Sequence, residues 1–186
     1  QKNDGVGDAM KIGCFSFNTE YGIHPAELAR AMEERGFESL WVGEHTHIPA
    51  ERRSPYPGKG DVLPKPYYHM ADPFVSLAMA AAVTKTLKVG TGICLVTERD
   101  PIVLAKEVAT LDHLSGGRFL FGIGAGWNAE EMENHGTPFA QRWKVLEDRV
   151  KAMKAIWASH EATYEGPYTR FDRIISYPKP KQQPHP

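Results

Sequence analysis

Apolar residues along this chain alternate between two rhythms. Short compact runs, KIGCFSF (Lys11 to Phe17), SLWVG (Ser39 to Gly43), LKVGTGI (Leu87 to Ile93) and RFLFGIG (Arg118 to Gly124), have the length of buried strands. The segments between them carry apolar residues at helical spacing. PAELARAMEERGF sets Leu28, Ala29 and Met32 on one face and stops at Gly36, and FVSLAMAAAV and IVLAKEVATLDHLS read as two further helices. Asp72-Pro73 and Asp100-Pro101 each supply an N-cap and a first-turn proline, and Gly116-Gly117 closes the third helix. A last helix is predicted with Phe139, Trp143, Leu146, Val150, Met153 and Trp157 on one stripe, a core or interface row. Beyond it, YEGPYTRFDRIISYPKP reads as a short hairpin or extended arm with a proline-rich exit.

Four strands, each followed by a helix, imply a parallel sheet with right-handed crossovers. A doubly wound dinucleotide binder would carry its glycine fingerprint after an early strand. Here Gly122, Gly124 and Gly126 follow the fourth strand, and the third glycine comes too early for GxGxxG. A (β/α)8 barrel of TIM type carries its chemistry where strands end, which is where Glu44-His45, Gly92-Ile93-Cys94 and Gly124-Ala125-Gly126-Trp127 fall. The expected fold class is therefore α/β, of (β/α)8 TIM-barrel type. A full barrel takes about 250 residues. The 186 residues here give a half barrel of about four βα units with parallel strands. Residues 10–186 read as the N-terminal part of one barrel domain, and residues 1–9, polar with two glycines, as a disordered leader or tag remnant.

A formal net charge of −1 argues against nucleic-acid and anionic-membrane partners. No apolar stretch approaches the length of a bilayer span or a signal peptide. Cys14 and Cys94 lack any CxxC spacing and read as reduced thiols of a cytoplasmic protein.

The densest candidate chemistry is Glu44-His45-x-His47 at the end of the second strand. Three readings compete: an HxH metal site, an acid/base site, or structurally hydrogen-bonded histidines. A metal would need further ligands from later strands, and GIGAGW at the fourth strand end supplies none, so no metal is expected. From pattern alone Gly92 reads as a bulge or a close-packing residue and Trp127 as a helix-packing residue, while glycines at a strand end permit a ligand to approach the backbone. Arg99-Asp100-Pro101 reads as a helix cap from which Arg99 can reach the site mouth. Asp112-His113 reads as structural, and Tyr67, Tyr68 and His69, in a long loop over residues 46–70, read as a cover for substrate or, by default, as solvent-facing.

LWVGEHTHIP, LKVGTGICLVTERDPIVLAKEVATLDHLSGGRFLFGIGAGWNAEEMENHG and the terminal YPKPKQQPHP resemble the luciferase-like monooxygenase superfamily, most closely its branch that uses the deazaflavin coenzyme F420. The resemblance runs in order from about Met10 to Pro186 and departs only in length, since members have a complete eight-stranded barrel. It implies that His45 matches the active-site histidine, which passes the proton accompanying hydride transfer, and that Glu44 is an adjacent acid favouring the imidazolium. It also implies a non-prolyl cis peptide at Gly92-Ile93 behind the flavin ring, with Gly92, Ile93, Cys94, Ala125, Gly126 and Trp127 at the cofactor. The implied function is hydride transfer between coenzyme F420 and a small organic substrate. An FMN-dependent monooxygenase and a truncated, non-catalytic assembly or binding module are the alternatives. A homodimer or higher oligomer, paired through the open sheet edges and concave face, and weak cofactor binding by this half alone are further expectations.

Overall fold

Period-two alternation along four short strands decides which residues meet the helices and which line the inside of the sheet. The computed structural model describes residues 10–58 and 62–186, so the leader reading of residues 1–9 lies outside the described residues. Strands β1 (Gly13–Ser16), β2 (Ser39–Val42), β3 (Lys88–Thr91), β4 (Cys94–Leu95), β5 (Phe119–Leu120) and β6 (Ile123–Gly124) are all parallel to their neighbours. The sheet runs β1-β2-β3-β5, and β4 pairs with β6 as the continuation of β3 and β5. The sequential order is that of a barrel wall, as the sequence predicts.

Register sorts the side chains into two rows. Cys14, Leu40, Val89 and Phe119 lie side by side across the sheet, and so do Phe15, Trp41, Gly90 and Leu120. The first row faces helices α1 (Pro25–Glu34), α2 (Pro73–Ala82) and α3 (Pro101–Leu114), where Ala29, Met32, Leu77, Ala80, Leu104 and Val108 complete a buried core. Each such large side chain taken out of water contributes about 1.5–3 kcal/mol. The second row lines the concave side, where Phe15 keeps 47% of its surface and Ile93 and Ile123 remain partly exposed. Parallel strands are ordinarily covered on both faces. Among the described residues only one face is covered, which is the arrangement of half a (β/α)8 barrel.

Helix starts follow the sequence closely. Asp72 Oδ1 accepts the Val75 N–H at 2.9 Å, and Asp100 Oδ1 accepts those of Ile102 and Val103 at 2.9 Å each. Two further helices are α4 (Ala129–Asn134) and α5 (Arg142–Ala158). In α5 the predicted stripe is rotated. Val145, Ala152, Met153, Ile156 and Trp157 are buried, whereas Trp143 is 61% exposed and flanks Ile123 with Leu146 and Val150 beside the open edge. The cause is the hairpin that follows, β7 (Ala162–Glu165) and β8 (Arg170–Ile174), which docks on α5 and draws Asp148 inward to accept the Tyr164 hydroxyl at 2.9 Å. Asp112 is structural, as expected: buried in α3, it accepts the Gln182 backbone N–H at 2.9 Å and its side-chain amide at 2.7 Å, fastening the C-terminal segment. No helix among the described residues is long and apolar enough to cross a membrane.

Glu33 closes the helical layer at the opposite end of the strands from Glu44. Its Oε1 accepts the N–H groups of Lys85, Thr86 and Leu87 at 2.8, 2.6 and 2.9 Å, and these bonds, that of Thr86 first, hold its carboxyl down to about 2 from an ordinary 4.5. A depressed folded value contributes stability above the unfolded value and loses it as pH falls through the folded one. Glu33→Ala is expected to lower unfolding free energy by about 1–2 kcal/mol near neutrality and to flatten the decline in melting temperature between pH 4.5 and 2. An unaltered acid limb in thermal unfolding would contradict this role.

Candidate functional site

The strand ends converge on a depression of about 380 Å³, within the ordinary size range of small-molecule sites. Its lining includes Glu44 and His45 from the end of β2, Gly92 and Ile93 between β3 and β4, and Ala125, Gly126 and Trp127 after β6. The structure thus brings together seven of the eight residues expected at the site. The Gly92–Ile93 peptide is cis. Gly126 has φ +82°, a left-handed conformation that favours glycine, and a Cβ at Gly124 would collide with the Ile93 side chain. Bare backbone therefore forms part of the floor, while Phe15, Phe17, Tyr67 and Trp127 supply flat apolar walls.

Cys94 departs from the expectation. Alternation turns its side chain away from the depression into the core, where it is fully buried, and burial followed by the neighbouring Glu44 charge pushes the thiol well above its ordinary range. It packs behind the floor without lining it.

Glu44 does not bond to the His45 ring. One carboxylate oxygen accepts the Leu95 N–H at 2.7 Å and the other accepts Arg99 Nε at 2.7 Å. Arg99 spreads its fork further, to Asp72 at 2.6 Å and Glu107 at 3.1 Å, and lies 4.9 Å from the centroid of the Phe74 ring. Burial opposes the charge on Arg99, but the Glu44 carboxylate and the bonds to Glu44 and Asp72 outweigh it and raise the guanidinium pKa. Glu44 thus belongs to a buried ion network joining β2, β4, α2 and α3. The sequence reading of Arg99-Asp100-Pro101 as a cap holds for Asp100 and misses Arg99 as the hub.

The partner of His45 is Glu131, which the sequence reading did not single out. Glu131 Oε2 lies 2.6 Å from His45 Nδ1, and Oε1 accepts the Thr46 N–H at 3.0 Å. A carboxylate can only accept, so Nδ1 carries the proton and Nε2 is the basic nitrogen. Nε2 has no protein partner among the described residues, and His45 forms part of the depression wall. Tyr67 and Trp127 fix the ring from two sides, with centroids 5.4 and 5.7 Å away. Tyr67 is therefore a wall of the site, the cover reading and not the solvent-facing default, whereas Tyr68 is exposed and His69 pairs with Glu20 at 2.6 Å. His47 points elsewhere, to Thr46 Oγ1 at 2.9 Å and the Asn134 amide at 2.8 Å.

Behind Glu131 stands Glu98, also buried, whose carboxyl is pushed up to about 9 by burial, then by the charges of Glu131 and Glu44. Near neutrality this holds Glu98 in its protonated form. The arrangement can hold an imidazole in one tautomer and present Nε2 to a bound molecule.

A family model described as luciferase-like monooxygenase matches residues 13–186. An uncharacterized protein of Mycobacterium tuberculosis is 44% identical over 178 residues, which is 95% of this chain and 63% of that protein. The FMNH2-dependent dimethylsulfone monooxygenase of Pseudomonas putida is 35% identical over 115 residues, 60% of this chain and 31% of the enzyme. The F420-dependent glucose-6-phosphate dehydrogenase of Kineococcus radiotolerans is 28% identical over 188 residues, 96% of this chain and 50% of the enzyme. Among solved structures, monooxygenase RslO1 from Streptomyces bottropensis superposes with a TM-score of 0.77 at 26% identity, covering 95% of this chain and 52% of its own. The chain spans between about a third and two thirds of the length of these relatives.

Removing the hub cation leaves Glu44 buried beside Cys94 with only the Leu95 N–H to offset its charge. Arg99→Met is expected to destabilise the fold by about 3–5 kcal/mol, and Glu44→Gln in the same chain to recover part of the loss. Denaturant unfolding of the single and double variants tests this; a single-variant cost under about 1 kcal/mol would show that the network contributes only as a surface pair does.

Proposed function

The chain belongs to the luciferase-like monooxygenase family, and from that premise we propose that it serves a coenzyme F420-dependent oxidoreductase which moves a hydride between the deazaflavin and a small organic substrate. The observation that carries the reading is His45, fixed by Glu131 at the wall of a depression floored by glycine backbone. Flat walls and a floor partly without side chains fit a tricyclic ring, which Gly92, Ile93, Ala125, Gly126 and Trp127 would hold. When bound, the deazaflavin supplies a carbon that gives or takes a hydride.

The chain's own residues then do the rest. His45 Nε2 takes or returns the substrate proton, Glu131 holds the ring in the required tautomer, and Tyr67 and Trp127 limit water around the imidazole. Glu44 and Arg99 keep the ends of β2 and β4 in place beneath them. The family also contains enzymes named for FMN, and the P. putida relative, at 35% identity, supports an FMN-dependent monooxygenase as the second reading.

Titration of the protein with coenzyme F420 and with FMN, followed by visible absorbance, separates the two. Tighter binding of F420 supports the first reading, and selective binding of FMN replaces it with the second. With the preferred cofactor, His45→Asn is expected to lower turnover by roughly 10²–10⁴-fold while cofactor affinity changes little. Unchanged turnover would return His45 to a structural role.

A further inference from the structure

A second cavity, of about 390 Å³ and mainly polar, shares no residue with the first depression. Four parts of the chain contribute to its lining: Glu98 and Asp100 from the segment between β4 and α3, His135 from the end of α4, Arg149 from α5, and Tyr168 and Arg170 from the β7–β8 hairpin. We propose that it is a binding site for a small oxyanion, a phosphate or a carboxylate group, with Arg149 as the counter-ion. The inference stands independently of the reading of His45.

Arg149 carries the argument. Its Nη1 donates to the Val96 and Arg99 carbonyls at 3.0 Å each, Nε is buried without a partner, and Nη2 has no bond to the described residues. Carbonyls are neutral, and among the described residues Arg149 makes no ion pair. Asp100 and Asp148 favour its charge only through space, and burial, which opposes it, outweighs them. A guanidinium keeps its proton in such surroundings, so a half-buried cation faces the cavity without a counter-ion, where proteins ordinarily provide one. The neighbouring cations differ. Arg99 is engaged by Glu44, Asp72 and Glu107, and Arg170, 77% exposed, has Glu165 at 3.5 Å. An oxyanion bonded to Nη2 supplies the missing charge in the geometry a guanidinium accepts best.

The acids of the lining do not repel such a ligand in full. Glu98, its side chain 1% exposed, is held protonated near neutrality, so that wall is uncharged. Asp100 is ionised, but its Oδ1 accepts the Ile102 and Val103 N–H groups at the start of α3. The other charged and titratable groups around Glu98 are Glu44 and Arg99 from the strand ends, Glu131 and His135 from α4 and its end, Arg149 from α5, and Arg170 from β8. The His135 ring keeps 29% exposure, and its Nε2 lies 2.7 Å from Thr46 Oγ1. Occupancy of the cavity therefore has a direct contact with the residue that follows His45.

Calorimetric titration of the protein with inorganic phosphate and, separately, with acetate, at constant ionic strength in chloride, provides the test. Saturable binding at one site is expected; tighter phosphate assigns the site to a phosphate group and tighter acetate to a carboxylate. Arg149→Gln is expected to weaken it by about tenfold or more. Above pH 8 neither anion changes charge appreciably, so affinity in the unaltered protein is expected to fall as Glu98 ionises near 9, and to stay level in Glu98→Gln. No saturable binding of either anion, or equal affinity in Arg149→Gln, would overturn the proposal. If Arg149→Gln does not fold, ¹H–¹⁵N spectra of histidine-labelled unaltered protein decide it. The His135 resonances move with saturation if the anion enters this cavity, and stay in place while heat is released if it binds elsewhere.

Discussion

The bond between Glu131 and the segment after β2 is the constraint on which the site depends. One fully buried carboxylate accepts both the His45 ring and the Thr46 N–H, so α4 and the end of the second strand cannot move independently. Burial makes this expensive to break, since a charge left without partners inside a protein costs several kcal/mol. The same burial fixes which imidazole nitrogen faces the depression. Arg99 does the corresponding work one layer down, where its three carboxylate partners bind the ends of β2 and β4 to α2 and α3.

Much of the fold was legible because its signals are local. Asp72-Pro73 and Asp100-Pro101 start helices by bonds within one turn, and each short apolar run needs only its own neighbours to become a strand. The α5 face was misjudged because a later hairpin decides it: Tyr164 draws Asp148 inward, and no period within the helix announces that. At the site, the strand-end glycines and His45 stood out by residue type and position. Glu131 did not, since it is one of several acids in AEEMEN, and its burial depends on a ring 86 positions earlier. Cys94 shows the opposite error, where position at a strand end was read as exposure although alternation turns the side chain inward.

The concave row of Phe15, Trp41, Gly90 and Leu120 gives the functional face its character. Four parallel strands carry one covered side and one open side, and the depression lies where the open side meets the loops. RslO1 superposes over about half its own length, so what this chain provides is the wall that holds the histidine and the glycine floor.

The central claim is that Glu131 makes His45 a competent proton donor or acceptor. Single-turnover reduction or oxidation of the bound cofactor by Glu131→Gln, measured across pH beside the unaltered protein, addresses it most directly. The account predicts a rate lowered by at least about 10²-fold with little change in cofactor affinity, because the amide cannot stabilise the imidazolium. A rate and pH profile indistinguishable from those of the unaltered protein would contradict it.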